Sequence, residues 1–104
     1  MDSKQLYAAA EHLSSTVTWD LDWIHFGTKK EIKKDLIEGL IKEFLADEIL
    51  YFVHGRKDSR EYKKTEFPYE VEQFLGRENF QLWNHSLTKV IQFDKIGVLR
   101  MGKA

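Results

Sequence analysis

Histidine is the residue type best suited to acid–base or metal chemistry near neutral pH, and this chain has four: His12, His25, His54 and His85. Their spacing does not match that of zinc ligands, and the chain contains no cysteine that could complete a zinc site. A metal-independent nuclease could use His54 and His85 as acid and base, with Lys89 on the phosphate, but the spacing does not favour that arrangement. We therefore predict no metal, no cofactor and no catalytic residue.

Recognisable catalytic motifs are also missing from the sequence. There is no glycine-rich phosphate loop, no nucleophile elbow and no paired-carboxylate signature. The chain of 104 residues has 42% hydrophobic and 32% charged residues, the composition of an ordinary globular domain. The N-terminal region has no apolar run of signal-peptide length, and no stretch is long enough to span a membrane. We predict a non-enzymatic, cytoplasmic protein folded as one domain over residues 1–104.

The segment TVTWDLDWIHF, residues 16–26, contains two tryptophans and two aspartates, and polar and apolar residues alternate without a break from Thr16 to Trp23. As a strand it would place Trp19 and Trp23 on one face, and Asp20 and Asp22 on the other. A helix remains an alternative, because Gly27 is a natural helix C-cap. In either case we predict that both tryptophans are mostly buried, since large aromatic side chains dominate burial in small domains. The aspartates are predicted to be exposed.

Charge is divided unevenly along the chain and suggests a partner. Residues 1–53 hold six Lys or Arg against ten Asp or Glu, whereas residues 54–104 hold ten against seven. In size and composition the chain resembles the small immunity proteins that neutralise bacterial toxins. That resemblance implies inhibition by occlusion, with Asp20, Asp22, Asp47 and Glu48 facing a basic toxin surface. An accessory subunit that binds another protein fits the same features. The oligomeric state is not predicted.

A basic segment supports the alternative of nucleic-acid binding. The stretch RKDSREYKK follows a predicted helix and strand, an order that resembles a winged-helix protein in outline. Arg56, Lys57 and Arg60 would then contact phosphates. The neighbouring acidic residues dilute the positive field, so nucleic acid is ranked below a protein partner.

Hydrophobic spacing predicts two helices that would position these residues. Leu6, Ala10 and Leu13 form one apolar stripe over residues 4–14. Thr28 and Glu31 match a capping box, and apolar residues follow at helical spacing, which predicts a long helix over residues 29–46.

Strand signals dominate the rest of the chain. Residues 48–55 are predicted to form a strand, followed by an exposed loop and a short helix from Pro68 to Leu75. Three further strands, FQLW, LTKVIQF and IGVLRM, should pair locally, with a hairpin turn at Asp94 and Lys95 and a bulge at Gly97. The predicted fold class is α+β: an antiparallel sheet of about four strands packed on one long amphipathic helix plus shorter helices, in two layers.

Overall fold

An antiparallel sheet is the largest element of the computed structural model, which describes residues 2–27, 31–56, 58–64 and 71–104. Within these ranges the sheet has seven strands, in the order β1-β7-β6-β5-β3-β4, and β2 also pairs with β7. The strands are β1 (Thr18–Trp19), β2 (Ile24–His25), β3 (Ile49–Val53), β4 (Arg60–Lys63), β5 (Phe80–Asn84), β6 (Lys89–Asp94) and β7 (Val98–Lys103).

Both faces of the central strands are buried. Leu50 and Phe52 of β3 belong to one apolar cluster, whereas Tyr51 and Val53 belong to another. Successive side chains of a strand point to opposite faces, so the two clusters lie on opposite sides of the sheet. This explains why ILYFV is apolar throughout instead of alternating with polar residues.

The helix α2 (Lys34–Phe44) covers the first face. Ile37 and Ile41 are buried in the same cluster as Leu50 and Phe52. Asp35 lies in the first turn and Lys42 in the last, which suits the helix dipole. The apolar spacing therefore identified the correct buried face of this helix.

The helix α1 (Ser3–Ser14) covers the second face. Leu6 and Ala10 are buried against the cluster that contains Trp83 and Val90, so the predicted apolar stripe is confirmed. A capping box starts this helix: the Asp2 side chain accepts a hydrogen bond from the backbone N–H of Gln5, while the Gln5 side chain accepts one from the N–H of Asp2.

The predicted architecture of about four strands on one long helix in two layers is wrong. The described residues form a seven-stranded sheet with one helix on each face, and the sheet is the dominant element. The start of the long helix is also wrong, because α2 begins at Lys34, with Lys33 as an N-cap that makes no side-chain hydrogen bond. Thr28 lies outside the described residues. The spacing of apolar residues predicted the buried face of this helix correctly but overestimated the length of the helix.

Two local predictions between β3 and β5 also differ from the structure. The segment expected to be an exposed loop contains β4, which pairs with β3 from Ile49↔Lys63 to Phe52↔Arg60. Its polar sequence is compatible with a strand because β4 lies at the edge of the sheet. The predicted helix from Pro68 to Leu75 begins outside the described residues. Val71 is helical, whereas residues 72–77 form turns, and Val71 and Leu75 are buried.

The predicted hairpin between β6 and β7 is confirmed. Asp94 pairs with Val98, and the three residues between them include Gly97 at a positive φ of 97°. The Gly97 N–H donates to the Asp94 carbonyl at 3.0 Å. A three-residue hairpin loop typically needs a residue in this left-handed conformation, which glycine adopts without strain.

Candidate binding site at the edge of the sheet

An interruption of the edge strand shapes the surface formed by residues 16–26. β1 pairs with β7 through Trp19↔Gly102, and β2 resumes the pairing at Ile24↔Leu99. Four residues, 20–23, therefore lie opposite only Arg100 and Met101. The extra length cannot lie flat along β7, so the chain bulges out from the edge. We call residues 20–23 the edge bulge.

The edge bulge exposes apolar and acidic side chains together. Leu21 is 98% exposed and Trp23 is 43% exposed. Asp20 and Asp22 are exposed, as predicted. The prediction that Trp23 is mostly buried is wrong, and Trp19 is only partly buried. The segment does contain extended pairs of residues, but the bulge breaks the alternation that a continuous strand would have maintained.

Arg100 contacts both tryptophans. Its guanidinium carbon lies 4.3 Å from the centre of the Trp19 ring and 4.6 Å from that of Trp23. Its Nε donates to Gln92 Oε1 at 2.9 Å. The planar cation is therefore held by two aromatic rings and one hydrogen bond, an arrangement available to arginine but not to lysine.

Gly102 allows Trp19 to lie close to the sheet. A Cβ atom at position 102 would lie 2.7 Å from Trp19 Cε3 and would also overlap the Val17 side chain. Trp19 and Val17 both pack against the apolar cluster beneath α1. The bare backbone at Gly102 thus provides the space in which the indole contacts Arg100.

The other predicted acidic residues lie elsewhere. Asp47 accepts a hydrogen bond from the His85 N–H at 2.9 Å, and Glu48 is exposed just before β3. β3 is four strand positions away from β1 in the sheet, a distance of about 19 Å. The four acidic residues therefore do not form one surface, and Asp20 and Asp22 remain together on the edge bulge.

The basic residues proposed for nucleic acid are also separated from the edge bulge. Arg60 begins β4, at the opposite edge of the sheet from β1. The Arg56 carbonyl accepts a hydrogen bond from Ser3 Oγ at 2.5 Å, which ties this loop to the start of α1. Lys57 lies outside the described residues. The predicted wing-like loop is in part a paired strand.

The sheet keeps apart the histidines of the hypothetical nuclease. His54 follows β3 and His85 follows β5, and these strands are antiparallel, so the two rings lie at opposite ends, about 15 Å apart. Lys89 lies over the Phe44 ring at 5.4 Å. Each histidine has local contacts: His54 is 3.5 Å from carboxylate oxygens of Asp58 and Glu78. The described residues contain no group of His, Asp or Glu able to hold a metal ion.

Among the described residues, Tyr51 is the titratable residue whose pKa is clearly perturbed. Burial raises the pKa of its phenol, and the negative charge of Glu61 on the neighbouring strand raises it further. The ring stacks on His85, with centroids 5.4 Å apart. A raised pKa keeps the phenol neutral near pH 7, so Tyr51 does not provide a general base there.

Sequence reasoning missed a row of polar residues that crosses the sheet towards the edge bulge. Gln81, Gln92 and Arg100 each interrupt an apolar strand, and each is paired with the next across the sheet. The sequence signal that could have identified them is one polar residue in each of three consecutive strands, at positions that point to the same face of the sheet. That signal becomes useful only when the register is known.

Comparison with known proteins gives no further guidance. A scan against protein-family models and searches of curated proteins and solved structures find no match to this chain. None of the helices in the described ranges has the length and apolar content needed to cross a membrane.

Proposed function

We propose that this chain is a non-enzymatic protein-binding domain that contacts its partner through the edge bulge. The most specific version is an immunity-type inhibitor that neutralises a bacterial toxin by occlusion. The observation that carries the proposal is the 98% exposure of Leu21 between two exposed aspartates, next to a Trp23 that is 43% exposed.

An apolar side chain on a protruding bulge suits a protein interface. Burying a leucine side chain fully in a partner is worth about 1.5–3 kcal/mol. Tryptophan is enriched among the residues that dominate binding energy, and Trp23 is already held in place by Arg100. The edge bulge therefore offers a partner two groups: the exposed side chain of Leu21 and the indole of Trp23, which Arg100 already holds in place.

Charge defines the chemistry of the expected partner. Asp20 and Asp22 flank Leu21, so a complementary surface has an apolar pocket surrounded by Lys or Arg. Such charges at the rim mainly accelerate association, whereas the central apolar contact mainly slows dissociation. A nuclease toxin with a basic active site would have this chemistry.

A variant-matched capture experiment tests the proposal. Wild-type protein, Leu21→Asp and Asp20→Lys/Asp22→Lys would be immobilised and exposed to lysate of the native organism. Asp35→Lys/Glu38→Lys is the control, because it makes the same charge change on exposed positions of α2. We expect one protein to be retained by the wild type and the control and lost from both bulge variants.

The retained protein is then purified and mixed with the chain. Inhibition of its enzymatic activity supports the immunity-type version, whereas unchanged activity supports an accessory subunit. A partner that binds Leu21→Asp as tightly as the wild type contradicts the proposal.

Nucleic-acid binding provides an independent test of the ranking. At a roughly physiological ionic strength of about 150 mM, we expect no complex with duplex or single-stranded nucleic acid tighter than about 10 μM, weaker than specific sites usually show. Fluorescence anisotropy measures this directly. A submicromolar, sequence-dependent complex that weakens in Arg56→Ala/Arg60→Ala would make nucleic acid the preferred partner.

A further inference from the structure

Charges of both signs lie at the edge bulge and form no ion pair with one another. The bulge lies opposite Arg100 and Met101 of β7, and the Asp20 N–H donates to the Met101 carbonyl at 2.8 Å. Asp20 and Asp22 are exposed, and no residue of the described ranges forms an ion pair with them or with Arg100. Neighbouring charges of opposite sign that stay unpaired are available to a second molecule.

The Arg100 side chain is held so that its terminal nitrogens stay free. Its Nε donates to Gln92 Oε1 at 2.9 Å, and its guanidinium carbon lies 4.3 Å and 4.6 Å from the ring centres of Trp19 and Trp23. Among the described residues, the buried side-chain nitrogen or oxygen that lacks a hydrogen bond is His54 Nδ1, so the terminal nitrogens of Arg100 reach the surface. They form the edge of the guanidinium group that pairs with a carboxylate.

The edge bulge also has an apolar centre. Leu21, between the two aspartates, is 98% exposed, and Trp23 is 43% exposed. An apolar centre with polar groups around it is the usual composition of a protein interface. One small surface thus combines an apolar group, two free carboxylates and one free cation.

A surface with both signs of charge is complementary to a second copy of itself. In a two-fold symmetric dimer both subunits use the same surface, so every contact between two different residues is made twice. Arg100 of each copy can then pair with the aspartates of the other. A purely basic surface would pair with Asp20 and Asp22 but not with Arg100, whereas a second copy pairs with all three charges.

The sheet edge favours contact through side chains over contact through the backbone. β1 and β2 have two residues each, and the edge bulge separates them. An interrupted edge of this kind is poorly suited to continuous backbone pairing with another sheet. A second copy would therefore be held by the side chains of the bulge, and small interfaces of this kind are typically weak and reversible.

We propose that the free chain forms a two-fold symmetric dimer through the edge bulge. Arg100 of each copy pairs with Asp20 or Asp22 of the other, and the two Leu21 side chains meet at the symmetry axis. The dimer does not rest on the protein-binding function, because it concerns the free chain alone. A protein that binds Leu21 would compete with self-association, since the dimer covers the same residue.

Sedimentation velocity of the full chain over a range of concentrations tests the proposal. We expect the wild type to change from monomer to dimer as its concentration rises, and to dissociate on dilution. Raising the salt concentration should weaken the dimer, because exposed charge pairs are screened. Leu21→Asp should weaken it at least about tenfold, the loss expected when a leucine is no longer buried.

Charge reversal in both directions tests which residues pair. Asp20→Arg/Asp22→Arg places cations opposite Arg100 of the other copy, and Arg100→Glu places a carboxylate opposite the aspartates. Each variant should be monomeric alone, because like charges across an interface repel. Mixed in equal amounts, the two variants again have opposite charges at every contact and should form a dimer with one copy of each.

A matched control separates the interface from a general effect of charge. Asp35→Arg/Glu38→Arg makes the same charge change on exposed positions of α2, and it should dimerise as the wild type does. Unfolding curves verify that each variant folds.

Cross-linking tests the position of the symmetry axis without changing any charge. The chain contains no cysteine, so Leu21→Cys and Ile96→Cys each introduce a single thiol. Ile96 is 67% exposed and lies in the β6–β7 turn, outside the bulge. Under mild oxidation, Leu21→Cys should form a disulfide-linked dimer at least about tenfold faster than Ile96→Cys, because a disulfide requires Cα atoms within about 7 Å.

A wild-type chain that stays monomeric up to its solubility limit contradicts the proposal. So do charge variants that dimerise alone, a mixture that stays monomeric although both variants fold, or equal rates of cross-linking at positions 21 and 96. A monomeric wild type that still captures a protein from lysate contradicts the dimer alone, whereas a dimer that captures none contradicts the protein-binding proposal alone.

Discussion

Trp83 and Trp23 lie in two regions of the sheet and have opposite environments. Trp83 lies in β5, a central strand, and is fully buried with its indole N–H bonded to Gln81. Trp23 lies at the sheet edge, is 43% exposed, and contacts the Arg100 guanidinium with its ring. In an extended chain each tryptophan points to one face of the sheet, because successive side chains alternate between the two faces.

This difference shows what the alternation of side chains along a strand can predict. It assigns a residue to one face of the sheet, but it does not show whether a helix covers that face at the position of the residue. β5 has β3 and β6 as neighbours and a helix on each side. The segment around Trp23 has β7 on one side, and no strand of the described residues pairs with it on the other. Residues at an edge have room to bulge, and this bulge exposes what a central strand would bury.

The largest expected effect is at the central tryptophan. Trp83→Ala should lower the free energy of unfolding by about 3–5 kcal/mol, because it opens a cavity between the sheet and α1. It also leaves Gln81 without its indole donor. Denaturant unfolding followed by circular dichroism measures the loss. A loss below that of Trp23→Ala would contradict the contrast between the two regions.

Gly102→Ala should have the next largest effect. The new methyl group would overlap Trp19 and Val17, and overpacking of this kind costs about 1–3 kcal/mol. Gly39→Ala is the control: Gly39 lies in α2 with no atom near the added methyl group, so this change should raise stability by about 1 kcal/mol through helix propensity. Thermal unfolding of the pair measures both, and equal shifts would show that Gly102 makes no close contact.

Trp23→Ala should cost about 1 kcal/mol or less, because the lost contact is a partly exposed cation–π pair. A double-mutant cycle with Arg100→Ala measures the coupling between the two residues. Coupling close to zero would indicate that the stack does not hold Arg100 in place.

The smallest effect is expected on the edge bulge. Asp20→Lys/Asp22→Lys should change stability by less than about 0.5 kcal/mol per site, as isolated surface substitutions usually do. The same protein should lose its partner mainly through slower association, measured by surface plasmon resonance. A variant that unfolds would show that the aspartates are structural.

Much of the local structure could be predicted because its signals lie within a few neighbouring residues. The apolar stripe of α1, the buried face of α2, the run ILYFV and the hairpin at Gly97 follow from spacing and turn chemistry. The exposure of Asp20 and Asp22 follows from the cost of burying a charge. These inferences need no knowledge of what packs nearby.

Tertiary structure alone decided which strands are central and therefore what the tryptophans do. The charged sequence of β4 does not indicate a strand, because an edge strand needs no apolar face. β1 and β2 are separate strands because their register on β7 differs by two residues. The same pairing places Gln81, Gln92 and Arg100 in one row, although they are far apart in the sequence. Register between strands is a long-range property, set by the burial of both faces at once, and no local pattern of residues contains it.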